Sequence, residues 1–386
     1  MRIMHISTRL ILGGSQENTV LSCEGQADDG HAVSLVYGPI FGPEGSMLDR
    51  VRADGRIEPI ETPRLVREVA PLKDLRCLRD LARIIKQWKP DVVHTHSSKA
   101  GILGRMAAWK CGVPCVVHTI HGLAFHPYQS KRKNAMYISA ERHAAKRCHK
   151  IICVADAMRD QALAAGVGKR DQYVTVYSGM EVETFLTPQR PRTEMRAELG
   201  IADDAIVLGT VARLAELKGH DDLLDALGPM LQDDPRLMLL WVGDGWWRDR
   251  LMQRVNDLGL AERVITPGLV PPETIPNYMH AMDVLIHPSY REGLPRTVTQ
   301  GLLSGRGVVA YDVDGTREVC IDGTTGRLVA PGDLAELAAA CRWMIDHPQQ
   351  RVALGAAGQA MCKERFAARK MVDDLQKVYN DVLDSR

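Results

Sequence analysis

The chain carries no marked excess of either charge, no paired-cysteine motif and no long apolar run. Over 386 residues, 49 Lys and Arg stand against 48 Asp and Glu, a formal net charge of +1. That balance singles out neither nucleic acid nor an anionic surface as partner of the whole molecule. The nine cysteines are odd in number and none stands in a Cys-x-x-Cys pair, which argues against a zinc ribbon or a disulfide framework. Cys111 and Cys115 flank Gly112-Val113-Pro114, which reads as a turn into a strand rather than a metal loop. Reduced thiols suit a cytosolic protein. No apolar stretch approaches the roughly 18 residues of a membrane span, and the opening RIMHIS is too short and polar for a secretory signal. No short internal repeat is visible. The remaining composition, 45% hydrophobic and 25% charged, suits a soluble globular chain of two or three domains.

The order of segments is more informative. Short apolar runs at 2–7, 32–37, 91–95, 114–119, 150–154 and 173–177 alternate with helical patterns, of which 72–88 and 131–147 are the longest. After the proline-containing polar stretch LTPQRPRTE at 186–194, the alternation restarts with runs at 206–212, 237–242, 263–266, 283–287 and 307–311. The tail from about 333 is helical, with a break at Pro348. Strands alternating with helices predict an α/β architecture: two doubly wound parallel-sheet domains, Rossmann-like, at 1–186 and 195–365, with 186–194 as linker. Ligands of such domains bind at the carboxyl ends of the strands, so a central cleft faced by both domains is expected.

The chemistry-bearing residues stand at those strand ends. In PSYREGLPRTVTQG (288–301), Glu292 sits in a Gly-Pro loop between an apolar strand and a helix start. Such a joint presents unpaired N–H groups and the positive end of a helix dipole, which suits an anion such as phosphate. Glu292 can accept hydrogen bonds from hydroxyls, and Gln300 follows eight residues on. Arg213 and Lys218 in TVARLAELKGH follow another strand. They read either as cations for a diphosphate or as solvated surface charges. Gly243 and Gly245 end a third strand, where glycine permits close approach of a ligand or simply a tight turn. Gly13-Gly14 after the first strand is a weak signal of the same kind. His121 after the strand at 114–119 is either a structural hydrogen-bonding group or an acid–base group. His94 and His96 alternate on one strand and point the same way, but no third metal ligand is near them in sequence. Glu292 and Gln300 cannot be the two titrating carboxyls of a hydrolase, because Gln300 does not ionise.

These residues resemble the signature of the retaining glycosyltransferases of family four, in which Glu, seven residues and Glu frame a Gly-Phe/Leu-Pro. Here Glu292 precedes Gly293-Leu294-Pro295, and Gln300 replaces the second Glu. The resemblance covers nearly the whole chain. It implies the GT-B fold, with a last helix at about 366–386 packing back on the first domain. It implies acceptor binding mainly in the first domain and nucleotide-sugar binding in the second, with neither metal nor cofactor. Residue by residue, it implies that Arg213 and Lys218 hold the donor diphosphate, and that Gly13 and Gly14 lie beside it. Gly243, Gly245 and the backbone of Gly268-Leu269-Val270 border the nucleotide. Glu292 and Gly293–Pro295 hold the sugar, His121 lines the reaction centre, and Gln300 takes the ribose without charge assistance. The donor is then most simply a UDP-hexose. The run HTHSSKAGILGRMAAW resembles bacterial surface-polysaccharide enzymes. It suggests that Ser98 and Lys99 meet a saccharide or polyprenyl-linked acceptor, possibly at its pyrophosphate. Residues 131–150 hold seven Lys and Arg and one Glu. They read as a basic helix for an anionic membrane or as a solvated face. A peripheral enzyme on the inner face of the plasma membrane is therefore expected, with no nucleic-acid role. A transferase acting on a small soluble acceptor and a non-catalytic sugar-nucleotide binder are the alternatives.

Overall fold

The computed structural model of the protein describes residues 1–40 and 45–385; residues 41–44 and 386 lie outside the described residues. The chain forms two compact units, one of Met1–Met180 with Ala367–Arg386, the other of Glu181–Phe366.

The first unit is built on β1 (Arg2–Ser7), β2 (Ala32–Tyr37), β3 (Ile57–Glu61), β4 (Val92–His96), β5 (Cys115–Ile120), β6 (Lys150–Cys153) and β7 (Tyr173–Thr175). They form one sheet in the order β3-β2-β1-β4-β5-β6-β7, parallel throughout. The second unit holds β8 (Ile206–Val211), β9 (Leu237–Val242), β10 (Val264–Gly268), β11 (Val284–His287), β12 (Gly307–Tyr311) and β13 (Arg327–Val329). Their order is β10-β9-β8-β11-β12-β13, again parallel. The central strands are buried on both faces, as β4 and β5 show along their full length. Their near-continuous apolar runs follow from helices covering both sides of a parallel sheet. In each sheet the order reverses between the first strand and the fourth, β1 beside β4 and β8 beside β11. Connections leave those neighbours on opposite faces, and a crevice opens at their carboxyl ends.

Two edge strands escaped the sequence reading. β3 is IEPIE, with Pro59 inside it; proline cannot donate to a ladder and is tolerated in a sheet only at an edge, where β3 lies. β13 is three residues long. The stretch expected to be a linker is also different. Val182–Leu186 and Arg192–Glu198 are helices of the second unit, and the division of the chain falls at Met180/Glu181. Polarity suggested a linker, but the arginines there are structural. Arg192 and Arg196 grip opposite oxygens of Asp283 at 2.8 and 2.6 Å, and they cap the carbonyls of His280, Ala281 and Met282.

One face of the first sheet is covered by the helices Pro71–Trp88 and Ser98–Lys110. The other receives the final helix, Ala368–Asp384. Met371, Val372, Leu375, Val378, Tyr379 and Val382 form its buried stripe, packed on Ile3, Val92, Cys115, Val117 and Ile152. The spacing is that of a helix with one apolar face, so the last residues of the chain complete the core begun by the first. Leu375→Ala is expected to lower the stability of this unit by about 2–4 kcal/mol through lost transfer energy and an unfilled cavity. Lys377→Ala, at an exposed ion pair with Asp374, leaves the midpoint unchanged. Urea denaturation of both variants checks the contrast.

Candidate active site

In the second unit the crevice between β8 and β11 gathers the residues singled out from the sequence. β8 and β11 pair through Val284↔Leu208 and Leu285↔Gly209, so the loops after them emerge side by side. The loop after β8 carries Arg213 and Lys218. The next helix starts at His220, just beyond Lys218. Lys218 stands in a turn between Leu217 at φ 63° and Gly219 at φ 73°. A side chain at 219 would bring its Cβ to 2.1 Å from the Pro288 carbonyl oxygen, so only glycine permits this approach of the two loops. Ser289 and Tyr290 seal the contact by donating to the Leu217 carbonyl, at 3.2 and 2.9 Å.

Glu292, in the loop after β11, is the centre of charge. Its Oε1 accepts from Lys218 Nζ at 2.7 Å and stands 3.0 Å from His287 Nε2. Its side chain is 15% exposed. Burial alone would raise its carboxyl; Lys218 and His287 outweigh that and hold it well below the ordinary carboxylate range. The backbone N–H of Glu292 donates to Asp314 Oδ2 at 2.7 Å, and Gly315 N–H donates to the Gly293 carbonyl at 3.1 Å. Leu294 is buried. Pro295 precedes the helix Arg296–Leu303, and Thr297 of that helix donates to the Val211 carbonyl at the end of β8. Gln300 is half-buried in the same helix. Lys218 Nζ spends two of its three N–H groups on Glu292 and Ser289, leaving one for a further acceptor.

Around this cluster, Arg213 lies 5.6 Å over the ring of Trp246, a cation–π distance. Trp246 donates to Glu216 at 2.8 Å. Gly243 (φ 135°) would place a Cβ 2.2 Å from the Ala212 carbonyl oxygen, so glycine there lets β8 and β9 end in contact. Gly243 N–H also donates to the Gly268 carbonyl at 2.9 Å, which ties the loops after β9 and β10. A Cβ at Gly245 would lie as close to the Leu214 carbonyl oxygen. Leu269 is exposed next to Val270. The sequence reading missed His287, Ser289, Asp314 and Trp246. His287 was visible only as a strand residue, and nothing marked Asp314, 22 residues from Glu292.

The first unit places its candidates differently. His121 follows β5, and its Nε2 lies 3.0 Å from His96 Nδ1. His94 and His96 on β4 are joined by His5 on the neighbouring β1, which pairs with His94 in register. His5, His94 and His96 bring ring nitrogens within 4.8 Å of one another, so a third imidazole exists in space although none is near in sequence. All six nitrogens already have partners: Gln26, Tyr379, Thr119, His121 and the His5–His96 contact. His5 Nδ1 and His96 Nε2 are 2.9 Å apart. On one ion at about 2.0–2.1 Å they would subtend only about 90°, short of a tetrahedron. The arrangement is a hydrogen-bonded chain. Burial pulls His5 down to about 4, against the Gln26 hydrogen bond, and holds His94 and His96 well below the ordinary imidazole value. These rings are neutral at neutral pH.

Gly13 caps the helix Gly14–Asp28 with extended backbone at φ 171°. A Cβ there would meet only the flexible end of Gln16, so neither backbone nor packing demands glycine. Ser98 opens the helix Ser98–Lys110 directly after Ser97, which is strained at φ 59° and tied to Thr8 at 2.8 Å. Lys99 is not an open cation. Its Nζ donates to Asp74 Oδ2 at 2.6 Å and to the Glu68 carbonyl at 2.7 Å, with the side chain 12% exposed. The basic helix is Lys131–Ala145; Lys131, Arg132, Lys133 and Met136 are exposed, while Glu141 is buried against Arg105 at 2.6 Å.

The Glu292 cluster yields a pH-dependent expectation. A carboxyl lowered on folding stabilises the chain fully above its unfolded value near 4.5 and loses that contribution as pH falls through the folded value. Lys218→Met removes the main counter-charge, so burial raises the carboxyl. The variant should be less stable than the native chain by about 2–3 kcal/mol near neutrality. The deficit should shrink as acid protonates Glu292, below roughly pH 5. Urea midpoints of both chains across that range check the sign.

Comparison with known proteins bears on the family and the fold. Residues 13–179 match the family model for a glycosyl transferase 4-like domain, and residues 191–361 match that for glycosyl transferases group 1. The chain is 28% identical over 338 residues to the UDP-Gal:alpha-D-GlcNAc-diphosphoundecaprenol alpha-1,3-galactosyltransferase of Escherichia coli, covering 86% of this chain and 85% of that one. It is 33% identical over 312 residues to the D-inositol 3-phosphate glycosyltransferase of Geodermatophilus obscurus, covering 75% and 66%. Anabaena HepE, solved in complex with UDP, superposes with a TM-score of 0.82 at 22% identity over 99% of this chain and 100% of that one. WaaG, a glycosyltransferase involved in lipopolysaccharide biosynthesis, superposes at 0.74 with 16% identity over 99% of both chains. Two parallel-sheet units with cation-bearing and carboxylate-bearing loops at the β8/β11 crevice, matched by both models, make this chain a family-four-type glycosyltransferase of the GT-B fold.

Proposed function

We propose that this enzyme moves a hexose-type sugar, with retention of configuration, from a UDP-sugar to a saccharide carried on a lipid, in the synthesis of a cell-surface polysaccharide. The observation that carries the reading is the ionised Glu292, held by Lys218 and His287 at the crevice whose first loop also bears Arg213. A diphosphate leaving group gains charge as its bond to the anomeric carbon breaks, and fixed cations lower that barrier. Arg213 offers a planar fork and Lys218 a point charge, together doing the work of a divalent ion, so the reaction needs no metal or other cofactor. Glu292 and the backbone of Gly293–Pro295 hold the sugar hydroxyls. Gly243, Gly245 and Gly268–Val270 border the nucleotide, and Gln300 accepts from the ribose. Gly13 and Gly14 approach the donor phosphates, and His121 meets the reacting sugar. The acceptor oxygen bonds to the anomeric carbon on the face from which the diphosphate leaves, and its proton passes to the departing phosphate oxygen.

UDP is supported by the Anabaena structures with UDP and with UDP-glucose, and a lipid-linked acceptor by the name of the Escherichia coli relative. The acceptor is proposed to meet the first unit near Ser98, with Lys99 tying the Glu68 carbonyl and the start of the helix Pro71–Trp88 through Asp74. Gln300 in place of a carboxylate favours one second reading, a chain that binds a sugar nucleotide without turning it over.

A panel of nucleotide sugars offered without metal tests the proposal. One donor should be turned over. Arg213→Ala should cut kcat/KM by about 10²–10³, as loss of a transition-state donor does. Gln300→Glu should tighten donor binding up to about tenfold, by restoring a charged hydrogen bond. Binding of a nucleotide with no turnover of any donor, even with lipid-linked acceptors, would establish the second reading.

No helix among the described residues is long and apolar enough to cross a membrane. We propose that the enzyme instead lies on the cytoplasmic face through the helix Lys131–Ala145, whose exposed cations flank Met136. In sedimentation with vesicles, binding should require anionic lipid and weaken with salt. It should fall at least about a hundredfold when Lys131, Arg132 and Lys133 are all changed to Glu, at about 1 kcal/mol per charge removed. Indifference to vesicles would point to a soluble acceptor.

A further inference from the structure

The geometry points to Gln26, through His5 and His96, as the positioning residue that sets which nitrogen of His121 carries the hydrogen. The inference rests on the reading of His121 as the group that meets the reacting sugar, and it adds the residues that prepare it. Each neutral imidazole has one donor and one acceptor nitrogen, so in a line of imidazoles the state of one end dictates the other. The line begins at Gln26 Oε1, a carbonyl oxygen that only accepts, 2.7 Å from His5 Nε2. His5 therefore carries its hydrogen on Nε2 and accepts at Nδ1 from His96 Nε2, 2.9 Å away. His96, protonated on Nε2, accepts at Nδ1 from His121 Nε2 at 3.0 Å. His121 thus holds its hydrogen on Nε2 and keeps its lone pair on Nδ1.

A second branch takes its direction from the same amide. The same amide of Gln26 donates from Nε2 to the Tyr379 oxygen at 3.2 Å. Tyr379 donates to His94 Nδ1 and His94 Nε2 to Thr119 Oγ1, both at 2.6 Å. Reversing the amide would reverse every bond in both branches, so a single side chain decides the polarity of the whole network. Gln26, His5, His94, His96 and Tyr379 are all buried away from bulk solvent, where such bonds are electrostatically strong. Tyr379 belongs to the final helix, so seating of that helix holds the amide in place.

The test uses the full chain with 15N-labelled histidine, His121 being assigned by loss of its signals in His121→Gln. Long-range 1H–15N correlations should show His121 protonated on Nε2. Gln26→Glu keeps an acceptor facing His5 and should preserve both that tautomer and kcat to within about threefold. Gln26→Met keeps the volume but removes the acceptor. It should mix the two tautomers of His121 and lower kcat about tenfold, the worth of one oriented hydrogen bond, with donor KM unchanged. Nδ1–H on His121 in the native chain, or native tautomer and native kcat in Gln26→Met, overturns the inference. Because the spectra need no turnover, a native chain that transfers no sugar would refute the proposed function while leaving the tautomer assignment readable.

Discussion

A carboxylate shielded from water has to be matched by charge, and the second unit is arranged around meeting that condition at Glu292. Lys218 and His287 supply the match from two neighbouring strand ends. To deliver them, the chain turns through two left-handed residues before His220 and uses a glycine where any side chain would strike the Pro288 carbonyl. Asp314, itself at φ 47°, fixes the backbone of Glu292 from the loop after β12. Three loops are thereby locked to one charge. On the proposed reading of the site this is preorganisation: cations and acceptor already stand in position, so binding energy would not be spent ordering them.

The first unit solves a different problem with similar economy. Four imidazoles gather at the ends of β1, β4 and β5, where burial forbids charge on His5, His94 and His96. Neutral rings must then satisfy their nitrogens pairwise, and they do so in a line that ends at the carboxamide of Gln26 and the phenol of Tyr379. The residues that close this network come from the first helix and the last. The chain's return to the first sheet is therefore both a hydrophobic event, through Leu375, Val378 and Val382, and a polar one.

Much of this was legible beforehand because it leaves a local trace. Alternating apolar runs predicted the central strands within a residue or two, since parallel strands buried on both faces are mostly apolar. The loop from Glu292 to Pro295 stood out by its glycine and proline. What failed to show is what has no local trace. β3 was hidden by Pro59, harmless only because the strand is at an edge. The segment 186–194 looked like a linker because its arginines are polar, yet two arginines just beyond its prolines are spent on Asp283 and on carbonyls 80 to 90 positions away in sequence number. Lys99 was expected to meet the acceptor, yet its Nζ is engaged by Asp74, a partner 25 residues away that the local sequence does not mark.

The sequence by itself determined the class of the fold, the strand ends at which the chemistry-bearing residues stand, and the chemical types assembled there, because periodicity and turn chemistry are properties of neighbours along the chain. Only the tertiary structure decided which of those types meet. It set Lys218 and His287 on one carboxylate oxygen, brought His5 beside His94 by strand register, and drew Gln26 and Tyr379 to the far end of the histidine line. Those meetings depend on the order of strands in a sheet and on the return of the last helix, which pack residues remote in the chain into a few ångströms, where charge and hydrogen-bond polarity are settled.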